Sequence, residues 1–312
     1  MRVIAHGGAG TPPEGPADRQ TALEEATAAG AAAATPTDAV VATLRALESD
    51  PQFNAGVGGA VQSDGHVRTD AGLMTDDRAV GAVAGMPGVE HAVDVARVVK
   101  ERTPHVLVTG VHAVDLAAAA GVEAGVDLRT DETDRRWADV DAPDGDPLAH
   151  ADWVRERFGD RLAAAPDTEA DSEAETGAND DDHNRDRDHD TVGAVATDGD
   201  RVAAATSTGG RWLALAGRVG DVPQVGSGFY CTPAGGASAT GAGEDIARTT
   251  LSRRAVDRLA DGADAQTAAE AAIEEFGNLV EGSAGVVLMT PDGDAGAAYN
   301  SEAMQTAVAG EV

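Results

Sequence analysis

Apolar and polar positions along this chain follow two periods, and the switches between them mark out the elements. Arg2 to His6 is a short apolar run of strand type that enters the Gly-rich turn HGGAG at 6–10. Residues 17–33 and 37–50 show the three-to-four spacing of amphipathic helices. In the second, Val40, Val41, Leu44 and Leu47 share one face, and Thr37 stands where an N-cap is expected. A Gly-rich loop covers 54–65. Three Asp-Gly pairs, Asp64-Gly65, Asp198-Gly199 and Asp292-Gly293, lie between apolar runs and predict turns joining strands. Residues 91–102 and 111–120 predict helices separated by the strand HVLVTG, and 151–163 predicts a further short helix. Two long helices, 243–261 and 265–280, precede a strand pair at 284–290 and 295–300. Helices grouped between strand pairs imply sheets with helices outside them, not a regular βαβ winding.

One stretch obeys neither period. From Asp167 to Asp190 there are eleven acidic residues, two Arg and no Val, Ile, Leu or Phe. Such a segment cannot bury enough apolar surface to order itself, so it reads as a disordered linker or exposed loop. It stops abruptly at Thr191, where the chain becomes TVGAVATDGDRVAAATSTGG, two strand-type runs around a turn.

Charge narrows the function classes. The net charge is −31 over 312 residues, and Lys100 is the one lysine among 23 basic residues. This excludes a nucleic-acid binder, which needs clustered Lys and Arg, and a polybasic membrane docker. Dispersed carboxylates with almost no Lys suggest a protein kept soluble in high salt, where self-repulsion is screened. Cys231 is the single cysteine, so an internal disulfide and a Cys-based zinc site are excluded. No apolar run approaches the ~20 residues of a membrane span. The opening MRVIAHGGAG does not read as a signal peptide, so a cytoplasmic location is expected. At this length one large α/β domain is compatible with the composition.

Several chemistries are absent from the sequence: no Gly-Lys of a phosphate-binding loop, no His-Glu-x-x-His, no Gly-x-Ser-x-Gly and no Gly-x-Gly-x-x-Gly at a strand-to-helix junction. His183 and His189 lie in the acidic tract, where a metal site is conceivable but a solvated run with incidental histidines accounts for them better. Thr191 is the candidate nucleophile. A Thr hydroxyl needs a base within hydrogen-bond reach. Were the 190–191 bond cut, the free α-amine of Thr191, with an ordinary pKa of roughly 7.7–8.0, would be that base on the same residue. Spacing alone leaves this reading level with one in which Thr191 merely begins a strand.

The block HDTVGAVATDGDRVAAATSTGG, followed by GRVGD and ATGAGE, resembles the plant-type L-asparaginase / isoaspartyl peptidase family of N-terminal-nucleophile hydrolases. HGGAG, LESDPQFNAGVGG at 47–59, TDAGLM at 69–74, AVGAVAGM at 79–86 and TPHVLVTG at 103–110 follow in the family's order. The resemblance covers nearly the whole chain outside 164–190 and the extreme C-terminus. It implies an α/β, four-layer αββα sandwich spanning 1–312 as one domain. It also implies self-cleavage between Asp190 and Thr191 into an α chain 1–190, with an acidic tail from about 164, and a β chain 191–312. Cleaved protomers would pair as an (αβ)₂ homodimer. No cofactor is implied for catalysis.

By the same resemblance Thr191 is the nucleophile and Thr208 tunes it, with Asn54 beside it. Arg218 and Asp221 hold the substrate's α-carboxylate and α-amine, and Thr240 and Gly241 supply an oxyanion hole. Backbone carbonyls of Leu47, Glu48, Asp50, Phe53, Ala55 and Val57 hold a structural sodium ion. The types suit the roles: Arg meets a carboxylate as a planar fork, and Asp pairs with an ammonium. The plain alternatives are an exposed i,i+3 ion pair for Arg218 and Asp221 and a helix cap for Thr240. The expected substrate is L-asparagine or a β-aspartyl dipeptide, with no nucleic-acid or membrane partner. Asp190 stands where the family's isoaspartyl peptidases usually carry Gly. His-Asp-Thr is similar to the related glycosylasparaginases, and Asp-Thr also fits the threonine aspartases. The alternatives are therefore a glycosylasparaginase-like hydrolase of N4-substituted asparagine, an amino-acid-binding protein that never matures, or a cation-binding protein acting through 167–190.

Overall fold

The strands of the centre are almost wholly apolar and built from small residues, which is the pattern of strands covered on both faces. In the computed structural model, which describes residues 1–13, 15–159 and 191–312, they form two sheets. The larger contains β1 (Arg2–Gly10), β2 (Arg68–Thr75), β3 (Val80–Pro87), β4 (Leu107–Thr109), β5 (Val192–Thr197), β6 (Val202–Thr208) and β11 (Ala303–Ala309), in the order β11-β1-β5-β6-β2-β3-β4. The smaller contains β7 (Phe229–Thr232), β8 (Gly235–Gly241), β9 (Ala284–Met289) and β10 (Ala295–Tyr299), in the order β10-β9-β8-β7. Pairing is antiparallel except between β3 and β4. The fold is mixed α/β.

Period-two alternation sorts the side chains of β5 and β6 into two cores. Val192, Ala194, Ala196, Ala203 and Ala205 pack with residues of α1 (Pro16–Ala31), α2 (Pro36–Glu48) and α3 (Ala92–Arg102). Val195, Val202 and Ala204 face the other sheet and meet Phe229, Cys231, Val287 and Met289. The far face of the smaller sheet packs on α8 (Leu251–Ala260) and α9 (Ala265–Leu279) through Ala237, Val286, Leu288, Leu251, Ile273 and Phe276. The Phe229 ring lies buried between the sheets, and Gly72 of β2 makes room for it: a side chain there would overlap the ring.

Most expected elements are present, with five corrections. Thr35, not Thr37, caps α2, its hydroxyl accepting the Asp38 N–H at 3.1 Å, because Pro36 opens the helix two residues earlier. The expected helix 243–261 is two helices, α7 (Gly243–Thr249) and α8, broken at Thr250 with φ +53°. The hydroxyls of Thr249 and Thr250 bond back to the carbonyls of Asp245 and Thr249, competing with the helical ladder. The Asp64-Gly65 pair makes a turn, but only the single bridge Val61–Val67 flanks it, not strands. The remaining helices are α4 (Gly110–Ala120), α5 (Asp131–Ala138) and α6 (Pro147–Phe158), the last shifted from 151–163 by the Asp146 cap. The strand HVLVTG shortens to β4. The acidic tract, with His183, His189 and Asp190, lies outside the described residues.

Candidate active site

Sheet register puts the nucleophile candidate in place. β5 and β6 pair Val192 with Ser207 and Gly193 with Thr206, so Thr191, one residue before β5, stands level with Thr208. Thr191 is buried, and its hydroxyl donates to the Thr208 hydroxyl at 3.3 Å. Thr208 Oγ1 accepts the Gly210 N–H at 3.1 Å and faces the Asn54 carbonyl at 3.5 Å. The Asn54 side chain is turned elsewhere than expected. Its Nδ2 donates to the Gly210 carbonyl at 2.7 Å and its Oδ1 accepts the Ala60 N–H at 2.9 Å. An amide carries both donor and acceptor, so it bridges two loops of bare backbone groups, and only its main-chain carbonyl reaches the threonine pair.

A small pocket opens on Thr191, walled by Thr208, Gly210, Arg211, Arg218, Gly220, Asp221, Val222, Gly241 and Gly243. Arg218 and Asp221 are both on it, but they are not an exposed ion pair. The Arg218 fork is taken by Glu244, with Nε and Nη2 each donating to one carboxylate oxygen at 2.8 Å. Asp221 is 4% exposed, and its Oδ2 has no hydrogen-bond partner among the described residues. A Cβ at Gly243 would lie 2.8 Å from both Arg218 Nη2 and Asp221 Oδ1, so the two charges converge on that glycine. Gly241, at φ +129°, brings main chain to the wall where a residue with a side chain is strained. Thr240 lies one residue behind on β8, fully buried. It is not the N-cap of α7, which is Ala242.

The electrostatics are those of a site short of cationic partners. Burial pushes the Asp221 carboxyl up to about 7 against the pull of Arg218. Asp70, on β2 opposite Thr208, is likewise pushed up to about 7 by burial, although it accepts the Gly85 N–H at 2.7 Å and feels Arg218. Burial also works against ionised Glu244, but the hydrogen bonds and charge of Arg218 outweigh it and hold that carboxyl at about 2. Behind the nucleophile strand, His6 is fully buried and pushed down to about 3, so it is neutral. Its Nε2 lies 2.9 Å from Ser238 Oγ, and its ring faces the Thr191 main chain.

Comparison with known proteins decides what this arrangement belongs to. The family model described as Asparaginase matches residues 1–312. The chain is 36% identical over 315 residues to the plant-type L-asparaginase of Thermococcus kodakarensis, covering 98% of this chain and 95% of that one. It is 38% identical over 316 residues to the plant-type L-asparaginase of Pyrobaculum calidifontis, covering 97% and 94%. It is 33% identical over 318 residues to the isoaspartyl peptidase/L-asparaginase of Danio rerio, covering 98% and 91%. The chain belongs to the asparaginase family.

Three residues of this asparaginase-family site escaped the sequence reading. Glu244 and Asp70 lie inside the quoted runs ATGAGE and TDAGLM, and His6 opens HGGAG. A lone charged residue within a small apolar run was the available signal, since such a run is buried and a buried charge needs a reason. In the 47–57 loop two of the expected carbonyls are already engaged: Glu48 O accepts the Val57 N–H at 2.8 Å, and Asp50 O the Phe53 N–H at 3.1 Å. Among the described residues no His, Cys, Asp and Glu group of three is placed to hold a metal, and no helix is long and apolar enough to cross a membrane.

Proposed function

We propose that this chain hydrolyses the side-chain amide of L-asparagine to L-aspartate and ammonia, and the β-linked peptide bond of isoaspartyl dipeptides. The observation that carries the reading is the unpartnered Asp221 oxygen beside Arg218 on a pocket that opens on Thr191. A free α-amino acid end brings an ammonium and a carboxylate on one carbon. The ammonium meets Asp221, and the carboxylate meets the Nη1 edge of Arg218 that Glu244 leaves over. The relatives, a plant-type L-asparaginase and an isoaspartyl peptidase/L-asparaginase among them, support both substrates.

Maturation supplies the base. Thr191 Oγ1 attacks the Asp190 carbonyl, the acyl group shifts from nitrogen to oxygen, and water opens the ester. This leaves chains 1–190 and 191–312. The freed amine of Thr191 then takes the hydroxyl proton, while Thr208 holds the hydroxyl in line. Oγ1 adds to the amide carbon, and the Thr240 hydroxyl and Gly241 N–H receive the oxyanion, each worth a few kcal/mol (about 3) of barrier. The C–N bond breaks as the ammonium returns its proton to the leaving nitrogen. Water then hydrolyses the β-aspartyl ester and regenerates the threonine.

The layer order (helices, sheet, sheet, helices) supports the four-layer αββα sandwich of N-terminal-nucleophile hydrolases, and pairing of the cleaved protomers as (αβ)₂ is part of the same proposal. Carbonyls of Leu47, Glu48, Asp50, Phe53, Ala55 and Val57 offer a hard cation such as sodium only oxygen donors. Gly56 and Gly58 let the loop's backbone pack closely there, since a Cβ would overlap Glu48 O at the first and Pro51 O at the second. The ion's part would be to hold the loop that carries Asn54. Intact-mass spectrometry on the purified protein, with ammonia release from L-asparagine, tests the proposal. Two chains meeting at 190–191 and ammonia release are expected. A stable uncut 31.4 kDa species without turnover overturns it.

A further inference from the structure

The facing sides of the two sheets are apolar along most of their length, where Ile4, Val195, Val202, Ala204, Cys231 and Val287 meet. At the end nearest the nucleophile this layer changes character. His6 of β1 and Thr206 of β6 both stand opposite Gly193 of β5 in register, so the three form one row across the larger sheet, two residues from Thr191. Ser238 of β8 reaches onto this row from the smaller sheet. Its Oγ lies 2.9 Å from His6 Nε2 and 2.7 Å from Thr206 Oγ1. All three side chains are fully buried. The bridge passes directly over Gly193, where a Cβ would overlap both Ser238 Oγ and His6 Nε2. Strand β5 is thus clasped across its face as well as paired along both edges.

The protons of this bridge run one way. Thr206 Oγ1 donates to the Gly228 carbonyl at 2.8 Å, which uses its one proton. Ser238 is then the donor to Thr206, and His6, being neutral, keeps its proton on Nε2 and donates to Ser238. The line continues beyond the carbonyl. The Gly228 N–H donates to the Asp221 carbonyl at 3.1 Å, so the bridge joins the nucleophile strand to the turn that carries Asp221. Cohesion does not require it. Buried polar groups that satisfy one another add little net stability, and apolar groups of the same shape can replace them at almost no cost. What a fully satisfied buried network adds over apolar packing is rigidity, one arrangement in place of several.

We infer that the His6–Ser238–Thr206 bridge positions the nucleophile for turnover, by holding Thr191 at a fixed distance from the turn that carries Asp221. None of the three side chains is on the wall of the Thr191 pocket, so they are positioning residues. The inference rests on the proposed function and adds the device that aligns Thr191 with a bound aspartyl group. Misplacing a reacting atom by ~1 Å can cost about 100-fold in rate. Loss of the bridge should therefore act on kcat, while Arg218 and Asp221 keep their side chains and hold KM.

Ser238→Ala, Thr206→Val and the two combined are compared with the unaltered enzyme on L-asparagine, with turnover counted per cleaved chain by intact mass. A fall in kcat of about 10–100-fold is expected, with KM within about threefold. The combined variant should lose little more than either single one, because both cut the same line. Its midpoint in chemical denaturation should hardly move. Self-cleavage should slow too, since the same hydroxyl attacks. His6→Gln and His6→Leu separate the bond from the bulk: the Gln amide offers Ser238 an N–H and should recover most of the kcat that Leu loses. Unchanged kcat in the Ser238 and Thr206 variants overturns the inference. So does a loss carried by KM alone, a loss that tracks a fall in the denaturation midpoint, or a His6→Gln enzyme no better than His6→Leu. A variant that stays folded but uncut shows the misplacement at the first attack and supports the inference. An unaltered enzyme idle on L-asparagine overturns the functional reading instead.

Discussion

The β5–β6 pair and the 208–221 loop meet at Thr208, yet they are built on opposite principles. The strand pair is Ala, Val, Gly and Thr, buried throughout, and its geometry comes from register and packing. A one-residue slip would turn every side chain to the other sheet face, so the position of Thr191 is specified by the same two cores that stabilise the fold. The loop and its surroundings carry Arg211, Arg218, Asp221, Glu244 and, from β2, Asp70. Here positions are set by charge balance, and two of the carboxylates are pushed up to about 7. The strand pair is complete without substrate. The loop holds a buried oxygen, Asp221 Oδ2, with no hydrogen-bond partner among the described residues.

That contrast is sharpest at Thr191 itself. Thr191→Ala should lose both self-cleavage and turnover entirely while keeping the fold, seen as one uncut mass with an unchanged circular dichroism spectrum; residual cutting at 190–191 would place the nucleophile elsewhere. On the packed side, Phe229→Ala should cost about 3–5 kcal/mol of stability, because the ring fills the space between the sheets that Gly72 leaves. Chemical denaturation of matured protein measures it, and a loss under 1 kcal/mol would mean that the sheets close up without the ring. On the charged side, Arg218→Ala should lower kcat/KM by about 10–150-fold, the worth of hydrogen bonds to a charged group, chiefly through KM. Self-cleavage should persist; its loss would make Arg218 part of the scaffold.

Smaller effects follow from the raised carboxyls. In the proposed binding mode Asp221 holds the substrate ammonium only when ionised, so kcat/KM should rise with pH up to about 7 and fall at most tenfold per unit below it. For folding the sign is reversed. The native state keeps this proton longer than the unfolded chain, so the contribution to stability is full below about pH 4 and is lost as pH rises to about 7. Asp221→Asn should therefore gain stability on the parent between pH 4 and 7, measured as the difference of the two melting temperatures. A difference flat with pH would show that Asp221 is ionised throughout. The smallest effect expected is a rise of a few degrees in melting temperature from 0.1 to 1 M salt, as screening relieves a net charge of −31; a fall would count against adaptation to high salt.

Much of the framework was legible because it rests on local patterns. The helices at 17–33, 91–102, 111–120 and 265–280 were visible in their period, and the strands around Asp198-Gly199 and Asp292-Gly293 in their turns. The helix at 243–261 was misread because Thr249 and Thr250 fit a helical period while their hydroxyls favour the break. Thr191, Thr208, Arg218, Asp221 and Gly241 were named through the motifs around them, and the structure brings them to one pocket. Glu244 and Asp70 were not, because a carboxylate's role depends on which cation it meets, and Arg218 meets Glu244 across 26 residues of chain.

The sequence by itself determined the family, the elements and the candidate nucleophile, since these follow from residue order and short-range periodicity. Only the tertiary structure decided that Asn54 clasps the Gly209–Gly210 turn, that Glu244 takes the Arg218 fork, that Asp221 keeps an unpartnered oxygen, and that Arg211 shares the pocket with Thr191. Hydrogen bonds and buried charges are settled by distances of about 3 Å between residues far apart in the chain, and no period along the sequence encodes those.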